Sequence, residues 1–337
     1  MSVYITKVCG LGGTAGKGQQ VVANEAKKFG IEEIRIPYYD YFSDSKDSLY
    51  KRIDGILTGV SENDTVILQS PTWNYPNFES ALIGHLKAIN NLKLIIFIHD
   101  IRAMMFPIEA ESMPFYVELF NTADRLIVPS DNMAQHLKEM GVSTPMTVQY
   151  LWDFNNQVDL IGKPNYENKI VFVGDDEKFR ISTNFPIDSD TTLELYGRKN
   201  EQMQQANNIH YHGFLDEYSL LQELHKGGFG LVWSEDEQVK SYMHYCNSYK
   251  VSTYLQAGIP LIVHSSISCR KLVEDNHWGI VVDSLEEAVQ KVKTMSADEY
   301  HSYVDAIATT KYILENGYYT KRALVDAVYN LFITRRG

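Results

Sequence analysis

Apolar, β-branched runs recur about every 20 to 30 residues along this chain, with stretches of helical spacing between them. That alternation is the pattern of βαβ units, whose strands are buried on both faces of a parallel sheet. In the first half the runs fall at 3–9, 33–38, 64–70, 93–99, 124–129 and 146–151. A second set at 169–174, 192–197, 208–213, 229–233, 260–264 and 278–282 repeats the scheme. The pattern predicts an α/β protein built of two Rossmann-like parallel-sheet domains. The polar stretch 153–168 contains Gly162 and Pro164 and follows neither period, so it reads as a linker between domains spanning 1–152 and 169–310. From about 298 onward the chain reads as helix with a break at Asn316–Gly317, and 311–337 is expected to pack back on the N-terminal domain. Ser130 predicts a helix start and Gly141 its stop.

Charge and composition narrow the chemistry. With 31 Lys and Arg against 43 Asp and Glu, the 337-residue chain carries a net charge of −12, which argues against a nucleic-acid binder that must neutralise many phosphates. Three cysteines, Cys9, Cys246 and Cys269, show no C-x-x-C spacing, so neither a zinc site nor a disulfide framework is expected. The first residues, MSVYITKVCG, read as a strand rather than a secretion signal, and no apolar run is long enough for a membrane span, so a cytoplasmic protein is expected. None of the ten histidines follows H-x-x-x-H or H-E-x-x-H spacing.

The loop Cys9–Gly18 follows a strand and opens a helix read over Gln19–Phe29, which offers backbone N–H groups to an anion or a sugar. A phosphate-binding Walker loop is excluded, because Leu11 stands where its first glycine belongs and Gly18 follows Lys17. Gly10, Gly12 and Ala15 do satisfy G-x-G-x-x-A, with Glu32 and Glu33 at the distance of a Rossmann acid, so an NAD-dependent oxidoreductase is one reading.

The second half carries a sharper signal. Asn247–Val263 reads as a helix with Lys250 in its first turn, stopped at Gly258 and turned by Pro260 into an apolar strand. A helix start joined to a lysine makes a pyrophosphate clamp, since dipole, N–H donors and point charge act together. This segment resembles the N-x-x-K-[LV]-S-x-Y-L-x-A-G-[IL]-P-[LV]-I-V stretch of GT-B glycosyltransferases. Gln69–Asn74, Phe97–Asp100, Ile127–Ser130, Lys226–Trp233 and Val281–Glu287 extend the likeness, and together they resemble glucosyltransferase 3-type enzymes. Those enzymes add the second sugar to O-linked GlcNAc on serine-rich-repeat adhesins.

The resemblance implies a GT-B fold, with two Rossmann-like domains facing across a cleft and a C-terminal helix crossing back. It also implies a UDP-sugar donor, glucose first and GlcNAc second, no metal or other cofactor, and a homo-oligomer, dimer or tetramer. Lys250 is implied to hold the diphosphate, with Tyr249 and Ser248 beside it and Thr14 and Gly13 facing the donor. Either Lys178 or Arg180 supplies a second basic contact, and either Tyr211 or Phe214 lies against the uracil. Retaining GT-B enzymes often carry Glu, seven residues, Glu here, but Tyr245 and Thr253 occupy those positions. For an inverting reaction the base comes from elsewhere, and His99 and Asp100, at the end of a central strand, are the candidates. Asp175-Asp176-Glu177 and Ser234-Glu235-Asp236-Glu237 lie in post-strand loops and read as solvated charge, so no metal is expected. A third reading is a GT-B-like protein without activity that supports another glycosyltransferase; the intact Lys250 helix argues against it.

Overall fold

The computed structural model describes residues 1–155, 158–187 and 189–333. The chain forms two compact units, one running from Met1 to Tyr150 and resuming at Tyr318, the other spanning Leu151–Gly317.

The first unit is a six-stranded parallel sheet in the order β2-β1-β3-β4-β5-β6. Its strands are β1 (Val3–Cys9), β2 (Glu32–Pro37), β3 (Thr65–Ser70), β4 (Lys93–Ile98), β5 (Arg125–Val128) and β6 (Met146–Val148). The helices are α1 (Gly13–Lys27), α2 (Lys46–Ile56), α3 (Tyr75–Ala88), α4 (Arg102–Met105), α5 (Met113–Asn121) and α6 (Asp131–Glu139). The chain steps outward from β1 to β2, then returns on the other side of β1 as β3, so its topological switch lies between β1 and β3. Ser130 caps α6 by accepting the Met133 N–H, and Gly141 follows the helix at φ +99. The helix Tyr318–Phe332 belongs to this unit; its Arg322 donates to the carbonyls of Val148 and Gln149 at the edge strand.

Helix α1 starts well before the expected Gln19. A glycine-rich run weakens any helix reading, because glycine is among the poorest helix formers. Here the glycines serve close packing: a Cβ on Gly16 would stand 2.1 Å from the Leu11 carbonyl oxygen, and one on Gly18 3.4 Å from His99 Nδ1.

The second unit repeats the architecture with a sheet ordered β12-β11-β10-β7-β8-β9, again all parallel. The strands are β7 (Asn165–Asp175), β8 (Thr192–Arg198), β9 (Ile209–Gly213), β10 (Gly227–Val232), β11 (Leu261–His264) and β12 (Gly279–Val282). Helices α7 (Asp176–Phe179), α8 (Ile181–Asn184), α9 (Glu217–His225), α10 (Glu237–Met243), α11 (Tyr249–Ala257), α12 (Arg270–Asp275), α13 (Leu285–Thr294) and α14 (Ala297–Glu315) connect and cover it. Its switch point is between β7 and β10.

Two boundaries differ from expectation. The stretch read as a linker begins inside the second unit: Trp152, Asp153 and Phe154 are buried, with Trp152 Nε1 donating to the Asn247 carbonyl at 2.8 Å and Phe154 N to Leu314 O at 3.2 Å. Its far end is already β7, and its Asn156 and Gln157 lie outside the described residues. The tail leaves the second unit at Gly317, later than 311, because α14 runs unbroken to Glu315 and buries Leu314. Residues 334–337 of the expected packing-back segment lie outside the described part.

Candidate active site

In the first unit the carboxyl ends of β1, β3 and β4 carry a buried polar network. Gln69 Nε2 donates to the carbonyls of Thr6 and Gln19, at 2.6 and 3.2 Å, which leaves its Oε1 to accept from His99 Nε2 at 2.8 Å. The Gln69 donors are spent on carbonyls, so the His99 Nε2 must carry the proton. Gln19 in turn accepts the Val8 N–H and donates to the Pro71 carbonyl. Desolvation pushes His99 down to about 3, so its ring stays neutral and too weak a base to deprotonate a sugar hydroxyl near neutral pH. The two candidate bases thus differ in setting: His99 is 7% exposed and bonded to Gln69, while Asp100 follows it half-buried in the turn after β4.

Beside this network the turn after β3 is held under strain. Trp73 and Tyr75 adopt φ of +61 and +69, conformations that bulky side chains keep only where surrounding structure imposes them. Glu79, buried on α3, accepts from Ser70 Oγ and from the Thr72 N–H, and desolvation raises its pKa. Asn74 ties the turn to the end of β2, donating to Pro37 O at 2.8 Å and accepting from Tyr39 N at 3.2 Å. Thr14 and Gly13 are exposed in the first turn of α1.

In the second unit the switch point gathers positive charge. Ser248 caps α11 by accepting the Lys250 N–H, and Gly258 ends the helix at φ +80. The Lys250 side chain crosses the end of β7, where a Cβ on Gly174 would stand 3.1 Å from its Cε and 3.3 Å from its Nζ. Its ammonium lies 3.6 Å from the Phe179 ring centre and 5.1 Å from that of Phe172. Burial among these rings, then the charge of Lys178, push Lys250 down to about 7. Lys178 reaches the same Phe179 ring at 5.4 Å, whereas Arg180, at φ +57, turns toward Asp236 at 3.8 Å. Lys178 and Lys250 thus share one ring.

Other expected donor contacts fall differently. Tyr249 turns inward, its hydroxyl donating to the Asp153 carbonyl at 3.3 Å and its ring packed on Phe154, so it anchors the entering chain. Tyr211 donates to the Gly197 carbonyl at 2.8 Å from the edge strand β9, and Phe214 is 78% exposed past its end. The acidic clusters have internal partners: Asp175 caps α7, Asp176 binds Ser182, Glu177 pairs with Arg198, Glu235 accepts from Trp233 and Asn184, and Asp236 caps α10. Among the described residues no three His, Cys, Asp or Glu side chains are grouped to hold a metal, and no helix is long and apolar enough to cross a membrane. Of the two acids at the distance of a Rossmann acid, Glu33 is drawn to Lys27 at 3.0 Å and Arg35 at 2.9 Å, and Glu32 is exposed.

Two parallel six-stranded sheets in one chain, each with its loops at a switch point, are the architecture of the GT-B fold found in glycosyltransferases. Sucrose-phosphate synthase from Thermosynechococcus elongatus shares the fold with a TM-score of 0.68 at 11% identity, covering 98% of this chain and 99% of that one. An alpha-glucosyltransferase solved in complex with UDP gives 0.62 at 14% identity, covering 98% and 100%. Sequence models of the glucosyltransferase 3-like N-terminal and C-terminal domains match residues 2–151 and 170–327. Glucosyltransferase 3 of Streptococcus gordonii is 38% identical over 334 residues, 97% of this chain and 98% of that protein. The chain belongs to the glucosyltransferase 3-like family and is a glycosyltransferase. That membership replaces the oxidoreductase reading of the Gly-rich loop.

Proposed function

We propose that the protein transfers glucose from UDP-glucose to O-linked GlcNAc on a serine-rich-repeat protein, without a metal, as a cytoplasmic homo-oligomer. The observation that carries the donor half is Lys250, held against Gly174, Phe172 and Phe179 at the β7/β10 switch point, where crevice ligands of parallel sheets bind. Lys250 and Lys178 take the diphosphate, with Arg180 as the outer cation, while Ser248 fixes the helix start. Thr14 and Gly13 serve the donor from the Gly-rich loop, and Tyr211 or Phe214 lies against the uracil. Asp100 takes the acceptor proton, and His99 positions the strand end beside it. Glucose and UDP are supported by the name of the 38% identical relative and by the UDP held in the structural neighbour. Leaving-group charge falls on two lysine ammonium groups, so it needs no metal ion. The acidic clusters, already engaged as caps and ion pairs, support the same view.

The test is a panel of nucleotide sugars incubated with a GlcNAc-modified serine-rich peptide and read by mass. A gain of one hexose with UDP-glucose, persisting in EDTA, is expected. Transfer from UDP-GlcNAc alone would reassign the donor, and activity lost in chelator and restored by magnesium or manganese would overturn metal independence.

A further inference from the structure

We propose that helices α2 and α3 form a track for the acceptor polypeptide, leading into an aromatic pocket that takes its sugar. This rests on the reading of the protein as a transferase acting on a glycosylated polypeptide. A groove of about 680 Å³ runs between the two helices. Its wall is the edge-to-face pair of Tyr50 and His85, 4.8 Å between ring centres, and its floor includes Ser80, Ala81 and Gly84. Through Asn77 it adjoins a second cavity of about 280 Å³, lined by Phe42, Tyr75, Ser112 and Phe115. That volume is on the scale of one pyranose ring.

The two cavities differ in what they select. The smaller is aromatic: Phe42, 70% exposed, meets Tyr75 edge to face at 4.6 Å, offering faces on which the C–H side of a sugar packs. Its residues come from segments that follow β2, β3 and β4, the carboxyl edge where ligands of parallel sheets bind. The larger holds one lysine, Lys46, whose ammonium lies 5.5 Å from the Tyr50 ring centre, and its acid is compensated. Asp44 is held by Arg52 through contacts of 2.8 and 3.0 Å, Ser45 caps α2, and His85 Nδ1 meets the Ala81 carbonyl at 2.8 Å. A channel with one lysine and no free acid disfavours a basic chain and accommodates a neutral one of small side chains, which is the composition of a serine-rich repeat. Neither backbone conformation nor packing requires glycine at 84, since a Cβ there meets nothing within 4 Å, so a larger residue at 84 projects into the groove without disturbing the helix.

Two variants test this. Gly84→Leu is expected to raise the KM for a synthetic GlcNAc-bearing serine-rich peptide by about tenfold, with kcat preserved and the KM values for UDP-glucose and for a small GlcNAc glycoside within about twofold of the parent. Phe42→Ala is expected to raise the KM for both acceptors. An unchanged peptide KM in Gly84→Leu overturns the track. So does a changed oligomeric state in that variant, which would make a second copy of the chain the occupant. A parent enzyme that uses the small glycoside and the peptide equally well overturns the track while the transferase reading stands. One that uses neither overturns that reading and the track together.

Discussion

The two units share one topology and present different chemistry at the same edge. In the first, the β1/β3 switch is lined by amides and a neutral imidazole, with Gln19, Gln69 and His99 exchanging hydrogen bonds inside the sheet edge. In the second, the β7/β10 switch brings Lys178 and Lys250 onto one phenylalanine ring. A preorganised neutral edge suits a hydroxyl substrate, which must be oriented and relieved of a proton. A cationic edge suits a diphosphate, whose leaving charge must be stabilised. On the function proposed above, the same fold would host the two halves of a transfer reaction, because function lives in the residues grafted on the strand ends.

The most severe way to break this division is at the first unit. Asp100→Asn is nearly isosteric and removes basicity, so turnover should fall by two or more decades while UDP affinity stays within about threefold of the parent, following the ~10²–10⁴-fold typical of general-base catalysis. Turnover close to the parental rate in steady-state assays would leave the first unit without its proposed base. The counterpart in the second unit is Lys250→Ala, which should weaken UDP binding by ~1.5–3 kcal/mol, the worth of a charged hydrogen bond. Calorimetric titration giving parental affinity would remove the lysine from the donor site. A finer cut is His99→Gln. With its ring neutral and bonded to Gln69, it should reduce turnover by about tenfold or less and leave the pH profile in place, as expected of a positioning group and not of a base. A profile whose acidic limb, where a general base becomes protonated, disappears would restore His99 as the base.

All twelve strands stand within a few residues of the apolar runs that predict them; for central strands such as β3, β4 and β10, covered on both faces, the run is a nearly continuous local signal. Lys250 was legible for a similar reason: helix start, lysine, Gly258 stop and Pro260 turn are neighbours in sequence. The surroundings of the site were not. Gln69 reaches Thr6 across 63 positions, and Lys250 finds its rings on β7 and α7, so no local spacing announces either contact. One signal did stand in the chain, the amide of Gln69 inside an otherwise apolar strand, where a buried polar side chain must have partners. The inward turn of Tyr249 depends on Asp153 and Phe154, residues that read as linker because partners such as Tyr249 and Leu314 lie far along the chain.

The smallest effect is also the most specific to the second unit, since it reads the protonation of one amine. Desolvation first, and Lys178 second, lower Lys250 from the ordinary 10.5 to about 7. Between those values the unfolded chain binds a proton there that the folded chain does not, so raising pH through that window favours the fold. Donor binding runs the opposite way. A diphosphate is held by the ammonium, so above about pH 7 the amine must take up a proton as UDP arrives, and affinity should fall by up to about tenfold per pH unit. Titrations at about pH 7.5 and 8.5, both above the ~6 at which the terminal phosphate of UDP titrates, isolate the lysine. The measured heat should vary with the ionisation enthalpy of the buffer, reporting net proton uptake. Lys250→Arg keeps its charge throughout and should bind UDP with neither dependence. Equal parental affinity at both pH values, with heats independent of buffer, would mean that the amine is already charged before the donor arrives and that the rings around it do not set its protonation.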